Sequence, residues 1–228
     1  MSIIDIIVLI FLGFGALLGF KRGFTRQLVS LIGIFVIIVL SFIFKNPVSV
    51  FLYKNLPFFN FGGIFKDITV LNILVYEILA FIIVFLLLTV VFRVLLKVTK
   101  IFEKILTVTI ILGIPSKILG SILGVLESII YVFIALYILS LPTFNIDLSN
   151  SKLSNTILNK TPILHSVCDK TLSVFDEIIE LKDEYTNTND INSFNQKVLD
   201  NMIEKGIITK ENAIELIKSG KINNVTIE

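Results

Sequence analysis

Residues 3–20 read IIDIIVLIFLGFGALLGF, and the cationic pair Lys21-Arg22 follows immediately. A helix rises about 1.5 Å per residue, so roughly 20 mostly apolar residues are needed to cross the hydrocarbon core of a bilayer. This stretch is long enough and apolar enough to be such a span. Three later runs have the same character, and they lie at residues 27–44, 71–92 and 118–141. The chain is therefore predicted to be an all-α membrane protein with four transmembrane helices.

Composition and charge divide the 228 residues, of which 55% are hydrophobic, into unlike parts. Residues 1–141 carry 11 basic and 5 acidic side chains, whereas the remainder carries 9 basic and 13 acidic ones. We predict a four-helix transmembrane domain at 1–141, an extracytoplasmic helical segment at 142–185 and a helical hairpin tail at 186–228. A basic excess on the connectors of a membrane domain is a topology signal, so no nucleic-acid partner is expected.

The connectors differ in their content of Lys and Arg. Eight of these residues fall in 21–26 and 93–117, against three in 45–70. Cytoplasmic connectors are the ones enriched in Lys and Arg. The pattern predicts a multi-pass protein of the cell membrane with both its N- and C-termini outside the cytoplasm.

Residues 93–106 form an amphipathic pattern, with apolar positions on one side and cations on the other. This is typical of a helix that lies in the membrane interface and attracts anionic lipid headgroups. The alternative is that the third span simply continues inward. Headgroup contacts are predicted for Lys21, Arg22, Arg26, Arg93, Lys97, Lys100 and Lys104.

Small residues recur every fourth position in the first and fourth spans. Such stripes let helix backbones approach closely in a membrane, where apolar side chains gain little by leaving lipid. Plain helix packing is the favoured interpretation, and a glycine-lined pore in a homo-oligomer is the alternative. The stripes are Gly15, Gly19 and Gly23 in the first span and Ser116, Gly120, Gly124 and Ser128 in the fourth.

Three acidic side chains lie in or near the spans. Asp5 is expected to reach headgroups, Glu77 lies in the outer third of the third span, and Glu127 lies close to mid-depth in the fourth. Because an ionised carboxylate is costly at that depth and no cation is predicted there, Glu127 is expected to be a neutral, hydrogen-bonded contact; a proton or ion pathway is the alternative. Candidate hydrogen-bonding partners on the other helices are Ser30, Ser41 and Thr89.

The tail is predicted to be irregular over 153–164, helical from Pro162 to about Tyr185, and then to form a hairpin of helices ended by Gly206 and Gly220. The small apolar face of this hairpin would be buried within the hairpin itself or would dock on a partner. The chain has one histidine and one cysteine, and no phosphate-binding loop or catalytic motif. We therefore expect no enzyme activity, no metal site and no cofactor.

Two motifs carry a resemblance to a known family. Residues 19–27, GFKRGFTRQ, are similar to the Arg-Gly-Phe-x-Arg-Glu element between helices one and two of the colicin V production protein (CvpA) family, with Gln27 where an acid is common. Residues 116–127, SKILGSILGVLE, resemble the family's Asp-Arg-x-Leu-Gly-x-x-x-Gly-x-x-(Arg/Lys)-Gly opening of helix four. Here Ser116 replaces the Asp and Glu127 replaces the basic residue. A weaker third likeness is the stretch from Ser151 to Pro162.

The resemblance implies a four-span bacterial membrane protein linked to colicin or toxin export and to envelope upkeep. The expected function is therefore a non-enzymatic membrane scaffold that supports secretion or envelope homeostasis. Its expected partners are anionic lipids, a second copy of the chain, and a secretion or envelope protein bound by the tail. The alternative is a small oligomeric channel or transporter with Glu127 lining the pathway.

Overall fold

A computed structural model describes residues 2–62, 68–98, 113–140, 146, 148, 150–161, 174, 177–178 and 190–227. Within these ranges the chain is helical and has no strand. The predicted fold class, an all-α protein with four long apolar helices, is confirmed. The helices are α1 (Ile3–Arg22), α2 (Phe24–Asn55), α3 (Leu71–Val98), α4 (Gly113–Leu139), α5 (Lys152–Asn159), α6 (Ile191–Glu204) and α7 (Lys210–Lys218).

The four candidate spans, α1 to α4, are all longer than the apolar runs that predict them. The largest difference is in α2, which continues past Lys45 and through Pro47 to Asn55. The predicted outer loop therefore begins eleven residues later than expected. Proline is tolerated in membrane helices when neighbouring groups satisfy the freed backbone.

The predicted interfacial helix at 93–106 lies only partly within the described residues. Its first six residues, 93–98, continue α3 without a break. Residues 99–106, which include Lys100 and Lys104, lie outside the described ranges. At the other end of this connector, α4 already begins at Gly113, five residues before the predicted span.

The first of two compact units comprises residues 1–41 and 85–165. In it α1 packs along α4, and both helices contact the short helix α5. The sequence predicted irregular structure over 153–164, and that prediction is wrong for residues 153–159. The hydroxyl of Ser151 accepts a hydrogen bond from the backbone N–H of Ser154 at 3.1 Å and so caps α5.

The second unit comprises residues 42–84 and 166–228. It contains the later part of α2, the first part of α3, and α6 and α7, the two helices in the region of the predicted hairpin. Gly206 and Gly220 follow these two helices with φ of 69° each, a conformation that suits glycine. Most of the predicted helix at 162–185 lies outside the described residues. The largest fully buried apolar side chains of this unit include Tyr53, Leu74, Tyr76, Leu199, Met202 and Leu216.

Candidate intramembrane polar site

The small-residue faces of α1 and α4 meet within one chain. A Cβ atom added to Gly19 would lie 2.1 Å from the carbonyl oxygen of Gly120, and one added to Gly124 would lie 2.2 Å from the carbonyl oxygen of Gly15. Gly15 also faces Ser128, whose hydroxyl donates to the carbonyl oxygen of Gly124 at 2.8 Å. The two backbones are therefore in direct contact, and no side chain fits between them.

Gly23 alone connects α1 to α2. Its φ of 75° lies in the region that favours glycine and lets the chain reverse within one residue. The first backbone N–H of α2, at Phe24, donates to the hydroxyl of Ser116 at 3.1 Å. Ser116 belongs to α4, so the N-terminus of α2 is capped by a neighbouring helix. Gly23 is the last position of the first small-residue stripe and Ser116 is the first position of the second, so the two stripes meet at this turn.

Glu127 lies beside the first two turns of α2 and is buried. The amide nitrogen of Gln27 donates a hydrogen bond to Glu127 Oε2, and the hydroxyl of Ser30 donates to Oε1 at 2.9 Å. The guanidinium of Arg22 lies 4.0 Å from Oε2. Three helices, α1, α2 and α4, therefore converge on one carboxylate.

The prediction that no cation lies at the depth of Glu127 is wrong. Gln27 is three residues into α2, which places it only about 4.5 Å along the helix axis from Phe24. Glu127 is level with this first part of α2, so the long side chain of Arg22, at the end of α1, reaches it. Because the Arg22 side chain is 44% exposed, the ion pair connects the buried carboxylate to the surface.

Tyr131 extends the polar cluster by one turn of α4. Its ring meets that of Phe85 edge-on, with 6.5 Å between the ring centres. Of the other predicted partners of Glu127, Ser41 and Thr89 donate instead to backbone carbonyls four residues earlier. Hydroxyls in helices commonly make this local bond.

Glu77 is paired separately, in the second unit. Its carboxylate accepts from the ammonium of Lys45 at 2.6 Å, and both side chains are largely buried. The sequence placed Lys45 in a predicted loop, because a cation and Pro47 follow the apolar run. A buried cation in a span should be paired, and this pair meets that requirement.

Asp5 caps two helices, although it was expected to reach headgroups. Its carboxylate accepts from the backbone N–H of Ser2 at 2.9 Å, from the hydroxyl of Ser151 at 2.5 Å and from the backbone N–H of Leu153 at 3.1 Å. The sequence analysis names Ser151 only as the start of the third likeness and does not predict its contact with Asp5. The available signals were the capping-box spacing Ser2-x-x-Asp5 and the preference for serine at an N-cap, the position that Ser151 occupies.

The predicted headgroup cations occupy different environments. Lys21 and Lys97 are exposed, as lipid contact requires, whereas the Nε of Arg26 is buried without a hydrogen-bond partner in the described part of the chain. Lys117, on α4, lies over the ring of Phe20 at 5.8 Å. Among the described residues, no group of three or more His, Cys, Asp or Glu is placed to hold a metal ion.

Comparison with known proteins identifies the family of this chain. The family model described as colicin V production protein matches residues 4–162. The chain is 32% identical over 180 residues to the uncharacterized transmembrane protein YshB of Bacillus subtilis (strain 168), and the match covers 71% of this chain and 92% of that protein. No solved structure matches the chain. The family match spans α1 to α5 and includes every residue of the Glu127 site, and the chain therefore belongs to the colicin V production (CvpA) family of multi-pass membrane proteins.

Proposed function

We propose that the protein is a non-enzymatic membrane scaffold that supports toxin or colicin-type secretion, or envelope homeostasis. It would lie in the cytoplasmic membrane with both termini outside the cytoplasm. Support comes from the family's description, which names colicin V production. Exposed cations such as Lys21 and Lys97 would face anionic headgroups.

The contact between α1 and α4 carries the proposal. The positions that would line a glycine-rich pore, such as Gly19 and Gly120, are closed against each other by backbone contact within one chain. The oxygen atoms of Glu127 are likewise occupied, by Gln27, Ser30 and Arg22. These residues act as packing and hydrogen-bonding groups, which suits a rigid scaffold better than a conduit.

One observation favours the rival function, a channel or transporter that uses Glu127. The Oε1 atom of Gln27 is buried beside the carboxylate and accepts no hydrogen bond within the described residues. An unpaired buried acceptor costs free energy unless a water, proton or cation occupies the adjacent space. A transported cation or proton would find two oxygen-bearing side chains there.

A flux measurement distinguishes the two functions. Purified protein is reconstituted in liposomes that contain anionic lipid, and the leak of protons, Na⁺ and K⁺ is compared for the native protein, Glu127→Gln and protein-free vesicles. If the protein is a scaffold, the native protein and Glu127→Gln should give the same background flux as protein-free vesicles. Flux by the native protein at least tenfold above background, and lost in Glu127→Gln, would overturn it.

The supporting role requires a cellular assay. In a bacterium that lacks the gene, toxin secretion and resistance to detergent are measured after complementation with the native gene or with Gly19→Leu. The native gene should restore at least one of these phenotypes, and Gly19→Leu should fail because it opens the interface between α1 and α4. Full complementation by Gly19→Leu would argue against a role for the packed bundle.

The proposed orientation has one local support. Asp5 contacts Ser151, so the start of α1 and the segment after α4 lie together. An even number of membrane crossings between Asp5 and Ser151 would leave both residues on the same side of the membrane, which is consistent with that contact. A reporter active only in the cytosol should give no signal when fused to either terminus, and a signal at either one would reverse the layout.

A further inference from the structure

The C-terminal end of α2 is closed by a lysine from the far end of the chain. The last carbonyl groups of a helix have no partner within the helix. The ammonium of Lys221 donates to the carbonyl oxygens of Tyr53 at 2.7 Å and Leu56 at 3.1 Å, and also to that of Lys54. Because an ammonium has three N–H donors, these three acceptors satisfy it completely.

The electrostatic setting also favours a cation at this point. The carbonyl end of a helix carries partial negative charge, which attracts cations. The ring of Phe58 lies 5.5 Å from the Lys221 nitrogen and adds a cation–π contact. Nearby, Lys54 pairs with Glu215 of α7 at 2.6 Å, which links α2 to the tail hairpin a second time.

Residues 221–227 follow α7 and begin with Lys221; they are called the strap. Gly220 turns the chain out of α7, and the next residues bury Ile222 and Val225. The side-chain amide of Gln196, on α6, then binds the backbone of Thr226 in both directions: its nitrogen donates to the carbonyl at 2.8 Å, and its oxygen accepts from the N–H at 2.8 Å. The strap is thus fixed to α6 at one end and to α2 at the other.

We propose that the carbonyl end of α2 is a primary-ammonium site, which Lys221 occupies in cis, and that the strap thereby latches the tail hairpin onto the membrane helix. The latch depends on Lys221, which lies beyond residues 4–162, the part matched by the family. It is independent of the scaffold function proposed above. Its consequence is that the hairpin has a fixed position at the end of α2, and that a ligand which presents a primary amine competes for the same carbonyl groups.

The first test uses the native, full-length protein in detergent micelles. Lysines are acetylated with a limiting amount of an N-hydroxysuccinimide ester, and the labelling rate at each site is read by mass spectrometry. Lys218 is the matched control, since it is exposed at the end of α7 and precedes Lys221 by three residues. Lys221 should react at least fivefold more slowly than Lys218. Equal rates would overturn the proposal.

The second test removes the ammonium and supplies it from solution. Lys221→Met should raise the rate of proteolytic cleavage within 190–227 at least fivefold, while Lys218→Met should leave it unchanged. Ethylammonium at about 50–200 mM should restore slow cleavage of Lys221→Met, because it offers three N–H donors to the vacated carbonyl groups. Tetramethylammonium at equal ionic strength has none and should not.

Each other outcome counts against the proposal. Unchanged cleavage of Lys221→Met would show that the strap holds the hairpin without the ammonium. Failure of ethylammonium, or equal rescue by tetramethylammonium, would show that the carbonyl end of α2 is not an ammonium site.

Discussion

Replacement of Gly19 by alanine tests whether backbone contact between α1 and α4 holds the first unit together. The added Cβ would lie 2.1 Å from the carbonyl oxygen of Gly120 and 2.8 Å from its carbonyl carbon. These are backbone atoms, which no side-chain rotation can move away. Gly13, in the same helix, provides a matched control, because a Cβ added there would have nothing within 4 Å.

The expected magnitude follows from the geometry. A carbon and a carbonyl oxygen are comfortable at about 3.3 Å, so the helices must separate by about 1.2 Å at this point. A gap of about 0.5–1 Å already forfeits a quarter to a half of the dispersion energy between the atoms that it separates, and overpacking typically costs about 1–3 kcal/mol. Both alanines gain up to about 1 kcal/mol of helix propensity. Because that gain is common to both variants, Gly19→Ala should be about 1–3 kcal/mol less stable than Gly13→Ala.

Unfolding can be followed by far-ultraviolet circular dichroism during titration with sodium dodecyl sulfate, since the chain has no tryptophan to report fluorescence. Gly13→Ala should unfold at or above the detergent fraction of the native protein, and Gly19→Ala clearly below it. If the two variants unfold within about 0.5 kcal/mol of each other, a difference typical of substitutions that perturb no packing, the interface does not hold the unit.

Three further predictions concern polar contacts. Glu77→Gln should destabilise the protein by about 3–5 kcal/mol in the same titration, because it leaves the Lys45 ammonium buried without its counter-charge. Replacing Lys45 and Glu77 together by the apolar residues leucine and methionine should recover most of the lost stability. Ser116→Ala should cost about 1 kcal/mol by uncapping α2, whereas Ser116→Asp should be tolerated. A hydrogen bond from Asn201 holds the pKa of Glu177 below its ordinary value of 4.5. The stability that ionised Glu177 contributes to the fold is therefore complete above pH 4.5 and is lost as the pH falls through the lowered pKa. Cleavage of the tail should accelerate below pH 4.5 in the native protein, and Glu177→Gln should cleave at a rate that changes less with pH.

The fold class followed from the sequence because each span is a nearly uninterrupted apolar run, whose length alone suffices to predict a crossing. The ends of the spans were less predictable. In α2 the pair Lys45 and Pro47 suggested a loop, yet Lys45 is held in the helix by Glu77, a residue 32 positions away. Local composition contains no information about such a distant partner.

The Glu127 site was only partly predictable for the same reason. Ser30 was among the expected partners and does contact the carboxylate, but Gln27 and Arg22 were not expected. The departures from the family pattern are informative in hindsight. Gln27 replaces a common acid and Glu127 replaces a common base, and the structure shows that these two side chains contact each other. In this chain the contact is polar, and its carboxylate lies on α4.

Ser116 is a third departure with a physical explanation. It stands where the family pattern has Asp, and it caps the N-terminus of α2. Serine and aspartate are both strongly preferred N-cap residues, because each offers a side-chain oxygen to the first free backbone N–H groups. The change from Asp to Ser therefore preserves the capping interaction and removes a charge.

The long separation between the turn at Gly23 and its cap has a consequence for biosynthesis. Phe24 and Ser116 are 92 residues apart, so the ribosome completes α1, the turn and α2 well before the capping hydroxyl exists. Until the fourth helix is inserted, Gly15, Gly19 and Gly23 of the first helix lack the backbone against which they pack. A nascent chain arrested after the third helix should consequently be the form that membrane quality-control proteases degrade fastest.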